Sequence, residues 1–300
     1  MSTIDRVEVI DDHTAVFRLS SLTASLMSIL ADRPGMMMPR SAEANLKAYN
    51  EKPITTGPVK LDTWVKASYQ RYVRNEDYWG EKTPFDSIRY DIIPDDSARF
   101  ANLRTGNTDI AFIGPSDVDA ARKATDRMTQ VEWPSLAVAR GAINIAMYPL
   151  NDVRIRKALA FATNYKGFLD SLWFGIGNIS NGMETPASWA WNSKVPKMRE
   201  DLAEAKKLLS AAGEGDGKKV WPMVTPNTAD SIATCELLKA QWDRVGIKID
   251  IKPLPSAEAG TAARDQKFAW IPSGGWSGRS DPDLTYYENF HSKGAFNRAS

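Results

Sequence analysis

The sequence predicts a mixed α/β fold, with α/β and α+β features and more than one sheet. Segments with the two-residue alternation of strands are interleaved with segments that have helical apolar spacing. The first of these segments is a hairpin pattern, which favours a separate sheet ahead of the interleaved region. A length of 300 residues is enough for two domains.

In the first half of the chain, glycine, proline and asparagine separate short strand and helix patterns. The hairpin is indicated by alternating apolar residues on both sides of a polar turn at Asp11–His13, and Pro34-Gly35 ends the helix that follows. The elements predicted here are a hairpin over Val7–Leu19, helices over Ser21–Ala31 and Ser41–Tyr49, paired strands over Val59–Trp64 and Tyr69–Arg74, a strand over Ile88–Ile92, a helix over Asp95–Arg104, a strand over Thr108–Ile113 and a helix over Ser116–Ala124 capped by Ser116.

In the second half, longer helical patterns alternate with apolar strand patterns. Glycine follows two of the helices, as expected at a helix C-terminus. The elements predicted here are a buried strand over Ala142–Met147, a long helix capped by Asn151 or Asp152 and extending to Leu169, a loop over Gly175–Ser193, a helix over Asp201–Ala212, a strand over Val220–Val224, a helix over Ile232–Val245, strands over Ile247–Ile251 and Phe268–Ile271, and a loop over Gly274–Asp283.

The composition excludes several classes of protein. The 38 basic and 37 acidic residues give a net charge of +1, which argues against a dedicated nucleic-acid binder. No apolar run approaches the roughly 18 residues of a membrane span, and the first residues do not resemble a signal peptide. With two histidines and one cysteine, the chain lacks the ligands of a zinc site, and Cys235 is interpreted as a small buried hydrophobe.

Three motifs that could indicate an enzyme are each better explained otherwise. Gly275–Arg279 nearly matches a nucleophile elbow, but the fifth position is arginine where glycine is required. Gly213–Gly217 follows a helix and precedes a strand, the reverse of the order in a phosphate-binding loop. The carboxylates of Asp95-Asp96 fit helix capping. We therefore predict no catalytic residues, no cofactor and no metal.

Three segments resemble family 5 solute-binding proteins of ABC importers, which bind dipeptides, oligopeptides, nickel or glutathione. Thr55–Leu61 followed by Val73–Gly80 is similar to the family's "GTGPY … NPDYWG" stretch, although valine replaces its tyrosine. Asn144 followed by Leu150–Leu159 is similar to "N … PFDDVRVRQAL", with leucine in place of phenylalanine. Gly274–Asp283 is similar to the "GW…DPD" loop. The resemblance extends from about residue 7 to residue 300.

The resemblance implies a two-lobed, periplasmic-binding-protein-like fold of type II, cluster C, which is incomplete here because the chain is truncated at both ends. We expect a peripheral part of lobe I over residues 1–50, the core part of lobe I over residues 51–147 and an incomplete lobe II over residues 148–300. The implied function is capture of a peptide-like or other small polar solute, which is delivered to an ABC permease and its ATPase. The implied setting is periplasmic or extracytoplasmic, with a monomeric binder that reaches the membrane through the transporter. Alternatives are an enzyme or a receptor that reuses this scaffold.

The resemblance also suggests a set of ligand contacts. Gly275 would let the backbone approach the solute, Trp276 would stack on it, and Arg279 would bind a carboxylate through paired hydrogen bonds. An aspartate of this loop can hold the amino terminus of a peptide in relatives, for which Asp281 and Asp283 are the candidates. The further candidates are Ser277, Asn144 and Met38. Three alternatives stay open: Asp281 as a helix cap, Arg279 as a surface residue and Met36–Met38 as core.

Overall fold

The computed structural model describes residues 3–124, 128–268 and 270–297. The chain divides into two compact units: Met1–Ser28 with Val131–Ser300, here called the larger unit, and Ile29–Gln130, here called the smaller unit. The predicted lobe boundaries at residues 50 and 147 stay a prediction.

The described part of the chain alternates strands with mostly short helices. The strands are β1 Ile4–Asp11, β2 Thr14–Leu19, β3 Val59–Val65, β4 Tyr69–Arg74, β5 Ser87–Asp91, β6 Ala137–Ile143, β7 Val220–Pro226, β8 Lys248–Leu254 and β9 Trp270–Ser277. The helices are α1 Leu26–Leu30, α2 Ser41–Ala44, α3 Leu46–Glu51, α4 Asp96–Thr105, α5 Val118–Lys123, α6 Val153–Phe161, α7 Tyr165–Trp173, α8 Leu202–Ala211, α9 Ala229–Asp243, α10 Ser256–Arg264 and α11 Pro282–Phe290. This is the predicted mixed α/β class.

The smaller unit contains a three-stranded antiparallel sheet in the order β3-β4-β5, which confirms the predicted pairing of the first two strands. Asp95 caps α4 as the sequence indicates, because its carboxylate accepts a hydrogen bond from the Ala98 N–H at 2.7 Å. The predicted strand over Thr108–Ile113 is wrong: this segment forms no strand, since its apolar residues have no sheet to join. The cap predicted at Ser116 is also wrong, because a 3-10 turn over Pro115–Asp117 precedes α5.

The larger unit contains the β1–β2 hairpin, as predicted, and a four-stranded sheet in the order β6-β9-β7-β8. In this sheet, β6 pairs antiparallel with β9, whereas β7 pairs parallel with β8. The main core forms where α6, α8 and α9 cover the sheet, and Ile155, Leu209 and Trp242 are among its buried residues. Buried side chains of these helices and of β7 and β8 together form the main hydrophobic core of this unit.

Several predicted boundaries in the larger unit need correction. The long helix is divided into α6 and α7, because Asn164 accepts a hydrogen bond from the Gly167 N–H at 2.7 Å and starts a new helix. The strand predicted over Ala142–Met147 lies earlier, at β6. The sequence patterns did not predict helices α10 and α11, and the latter begins at Pro282, inside the predicted loop. Ala269, within the strand predicted over Phe268–Ile271, lies outside the described residues.

Cys235 is fully buried on α9, and burial raises the pKa of its thiol. Its interpretation as a small hydrophobe is confirmed, since a neutral, inaccessible thiol is a poor nucleophile. Within the described residues, no helix combines the length and the apolar composition that crossing a bilayer requires.

Candidate functional site

The candidate site lies where β9 leads into α11. β9 pairs with β6 so that Gly275 faces Ala139 and Trp276 faces Val138. The loop predicted over Gly274–Asp283 is therefore shorter than expected, because β9 continues to Ser277 and α11 begins at Pro282. The sheet thus fixes the first part of the predicted ligand loop, and only the turn of four residues between β9 and α11 is free of regular structure.

Trp276 is buried within the larger unit. Its residue surface is only 7% exposed, and its ring packs edge-on against Phe296 with centroids 5.4 Å apart. Its indole N–H donates to the Thr285 hydroxyl at 3.4 Å. In this structure Trp276 is a packing residue under the site, and its role as a ligand-stacking surface stays a prediction.

Two guanidinium groups lie over the same indole. The Arg140 guanidinium carbon is 5.2 Å from the centroid of the Trp276 ring, and that of Arg279 is 5.4 Å from it. Arg140 lies where the β6–β9 register shifts between Ala139 and Gly141, an irregularity that can redirect a side chain. Because arginine stays charged at any physiological pH, the two side chains place two positive charges at this ring. Nothing in the sequence singled out Arg140, which is 136 positions earlier than Trp276.

The two candidate aspartates have structural partners. Asp281 caps α11, because its Oδ1 accepts a hydrogen bond from the Asp283 N–H at 2.9 Å. The Asp283 carboxylate accepts a hydrogen bond from the hydroxyl of Ser25, a buried residue of the N-terminal segment, at 2.7 Å. The cap that the sequence left open for Asp281 is thus present. The binding of a ligand ammonium by either aspartate stays a prediction.

Two other segments are held against the turn. The Gly278 N–H donates to the Leu136 carbonyl at 3.0 Å, and the Thr185 hydroxyl donates to the adjacent Ser135 carbonyl at 2.7 Å. From the loop after α7, the Trp189 indole N–H donates to the Ser280 carbonyl at 2.9 Å. The site is therefore built from four parts of the chain that are far apart in sequence, near residues 25, 135, 185 and 280.

A carboxylate adds to the electrostatics of this region. Burial, and secondarily the charge of Glu184, raise the pKa of Tyr286 on α11. One carboxylate oxygen of Glu184 is buried with no hydrogen-bond partner among the described residues. A buried acceptor without a donor is unfavourable, so Glu184 is a further position at which a ligand donor would be stabilised.

Gly275 and Ser277 lie exposed on β9. A Cβ atom added at Gly275 would meet no atom of the protein within 4 Å. Packing of the protein itself therefore does not require glycine here, which is consistent with the predicted close approach of a ligand.

Asn144 and Met38 are placed in different settings. Asn144 is 4% exposed, donates to the Gln266 carbonyl at 2.8 Å and accepts from the Ala146 N–H at 3.0 Å. Its side-chain amide is therefore engaged by two backbone groups, and a ligand contact stays a prediction. Met38 is exposed on the smaller unit, where a flexible thioether can adapt to a ligand. Its ligand contact also stays a prediction.

A cavity of about 280 Å³ lies elsewhere in the larger unit. It is lined by residues 147–150 and 219–222, and none of the candidate ligand residues lines it. At its rim, Lys219 pairs with the buried carboxylate of Glu214, to which the Tyr148 hydroxyl donates at 3.1 Å. Because these polar groups satisfy one another, we do not assign the ligand site to this cavity.

Comparison with known proteins decides the family. The model of "Bacterial extracellular solute-binding proteins, family 5 Middle" matches residues 1–297. The chain belongs to this family. The dipeptide-binding protein of Escherichia coli K12 is 30% identical over 292 residues, which are 93% of this chain and 54% of that protein. Heme-binding protein A of Haemophilus influenzae is 28% identical over 291 residues, 92% of this chain and 52% of that protein. The family 5 chain thus spans about half the length of the curated relatives it matches.

Solved structures confirm the type of fold. A periplasmic binding protein of Helicobacter pylori, solved with the peptide STSA, superposes with a TM-score of 0.80 at 24% identity, covering 95% of this chain and 56% of that one. The oligopeptide-binding protein of Bacillus subtilis, solved with a nonapeptide, gives a TM-score of 0.83 at 23% identity, covering 99% and 63%. The predicted family 5 fold is thereby confirmed.

Proposed function

We propose that this chain is part of the substrate-binding component of an ABC importer, which captures a small polar or peptide-like solute and delivers it to a permease and its ATPase. The protein acts by binding, without catalysis. Its setting is periplasmic or extracytoplasmic, it is a monomer, and it reaches the membrane through the transporter. Support comes from the family and from relatives named for dipeptide, heme and glutathione binding.

The observation that carries this proposal is the pair of guanidinium groups over the Trp276 ring. Arg140 and Arg279 each place a guanidinium group over the same indole, whose ring face attracts cations. The planar guanidinium of Arg279 presents its N–H donors in a fork, from which a solute carboxylate could accept two parallel hydrogen bonds. We therefore assign carboxylate binding to Arg279, with Trp276 as the ring that orients it and with Gly275 and Ser277 beside it.

The test is a ligand screen on the full-length protein. Peptides, amino-acid derivatives and metal chelates are added, and saturable one-to-one binding is measured by thermal shift and calorimetry. A ligand at about 100 times its Kd stabilises the folded protein by about 2.7 kcal/mol, which raises the midpoint of unfolding. We expect binding without chemical change of the ligand. Turnover of a solute without saturable binding would contradict the proposal.

Substitutions separate the role of Arg279 from general charge effects. Arg279→Ala should weaken binding of carboxylate ligands at least about tenfold, because a charge-assisted hydrogen bond is lost. Arg154→Ala is the matched control: this arginine of the same unit pairs with Asp152 at 2.6 Å and donates to the Ala211 carbonyl at 2.7 Å. If Arg279→Ala and Arg154→Ala weaken carboxylate binding by the same factor, Arg279 makes no direct contact with the ligand.

A further inference from the structure

An exposed indole is attached to the turn between β9 and α11. Trp189 belongs to the loop after α7, and its N–H donates to the Ser280 carbonyl at 2.9 Å. Ser280 is the residue between Arg279 and Asp281, so the anchor lies within the turn that carries the proposed carboxylate contact. The residue surface of Trp189 is nevertheless 75% exposed. One edge of the ring is therefore fixed, and most of its apolar surface faces solvent.

The segment that carries Trp189 is ordered by its own hydrogen bonds. The Ser188 N–H donates to the Thr185 carbonyl at 2.8 Å, and the Trp191 N–H donates to the Ser188 carbonyl at 3.1 Å. The Thr185 hydroxyl in turn donates to the Ser135 carbonyl. Because the backbone on both sides of Trp189 is held, the indole loses little conformational freedom when a ligand contacts it. Such a ring is preorganised for stacking.

Among the tryptophan side chains that the structure describes in the larger unit, the others do not share both properties. Trp276 is buried, so its ring faces are occupied by the protein. Trp133 and Trp173 are exposed, but none of the described hydrogen bonds ties either indole to the β9–α11 turn. Single exposed apolar side chains are ordinary on protein surfaces. Exposure combined with a directional anchor beside Arg279 is what distinguishes Trp189.

We infer that Trp189 is a specificity-determining contact of this site, and that its exposed indole stacks on a planar or aromatic group of the bound solute. This inference rests on the proposed function. Arg279 and Trp189 act on different parts of one ligand: the guanidinium binds a carboxylate, and the indole favours a flat apolar substituent over a small aliphatic one. The class of ligand is then a carboxylate-bearing, peptide-like solute with an aromatic side group.

The test compares matched aromatic and aliphatic probes on the full-length protein. Calorimetry gives the Kd of Ala-Phe against Ala-Ala, and of Ala-Phe-Ala against Ala-Ala-Ala. Wild type should prefer the aromatic member by about threefold to tenfold, the range expected for one aromatic pair. Trp189→Ala should bring the ratio of the aromatic to the aliphatic Kd to about one, whereas loss of the Ser280 anchor alone would weaken both members and leave the ratio as in wild type. Trp173→Ala, which removes an indole of the same unit that is 47% exposed, should keep the preference.

Each other outcome overturns the inference. If Trp189→Ala weakens the aromatic and the aliphatic probes equally, Trp189 is structural and not a stacking contact. If wild type shows no aromatic preference, or binds other solutes of the wider screen but none of these peptides, the role of Trp189 fails while the proposed function stands. If wild type binds no solute at all, the proposed function fails, and the inference fails with it.

Discussion

The substitution Asn144→Ala separates a structural role of this residue from the ligand contact that the sequence suggested. The Asn144 side chain is buried and joins two backbone groups, the carbonyl of Gln266 and the N–H of Ala146. Alanine would leave both groups without their partner. A typical hydrogen bond contributes about 0.5–1.5 kcal/mol net, and water can reach the exposed Ala146 and the half-buried Gln266, so we expect the free energy of unfolding to fall by about 1–3 kcal/mol.

The assay is urea unfolding of the full-length protein, combined with hydrogen exchange of the Ala146 amide, which should accelerate in Asn144→Ala. Asn151→Ala is the matched control, because Asn151 is exposed in the same unit and should change stability by less than about 0.5 kcal/mol. The reasoning would be refuted if Asn144→Ala were as stable as the control protein while binding ligand much more weakly. That result would make Asn144 a ligand contact.

Three further predictions concern two glycines and one surface carboxylate. Gly246 has a φ of 85°, and a Cβ there would clash with the carbonyl oxygen of Gly215, so Gly246→Ala should lower the free energy of urea unfolding by about 2–4 kcal/mol. Gly275→Ala should unfold like wild type but bind the ligand more weakly. A ligand affinity equal to that of wild type would remove Gly275 from the site. Hydrogen bonds from Arg74 and Lys82 lower the pKa of Glu76 from 4.5 to about 2, so these ion pairs should contribute full stability above pH 4.5 and lose it as the pH falls through 2. Carboxyl NMR titration checks the value, and a midpoint near 4.5 would contradict it.

Elements whose ends carry their own signal could be predicted from the sequence. Alternating apolar and polar residues on both sides of a polar turn indicated the β1–β2 hairpin. Asp95, Asp152 and Asp201 indicated helix N-termini, because a carboxylate just before a helix can accept a hydrogen bond from a free backbone N–H of its first turn. These signals act over a few residues and need no tertiary contact. The break between α6 and α7 at Asn164 was not predicted, because the helical spacing of apolar residues continues across it.

The site was only partly predictable, for a different reason. The segment from Gly275 to Asp283 was found through its resemblance to a family, but Arg140, Trp189 and Ser25 were not. Each reaches the site through tertiary structure: Arg140 by the pairing of β6 with β9, and the other two by single hydrogen bonds across long stretches of chain. No local pattern encodes such contacts.

The proposed site would divide recognition between a buried layer and an exposed one. Trp276 and Thr285 are buried and connect β9 to α11, so they fix the turn between the two elements. Trp189 is held at Ser280 but remains exposed, so it can contact a solute without a large rearrangement. A family that binds different solutes on one fold can vary the exposed residues at little cost in stability, whereas changes in the buried layer would disturb packing. Ligand specificity of this chain should therefore be sought at Arg279 and Trp189 before Trp276.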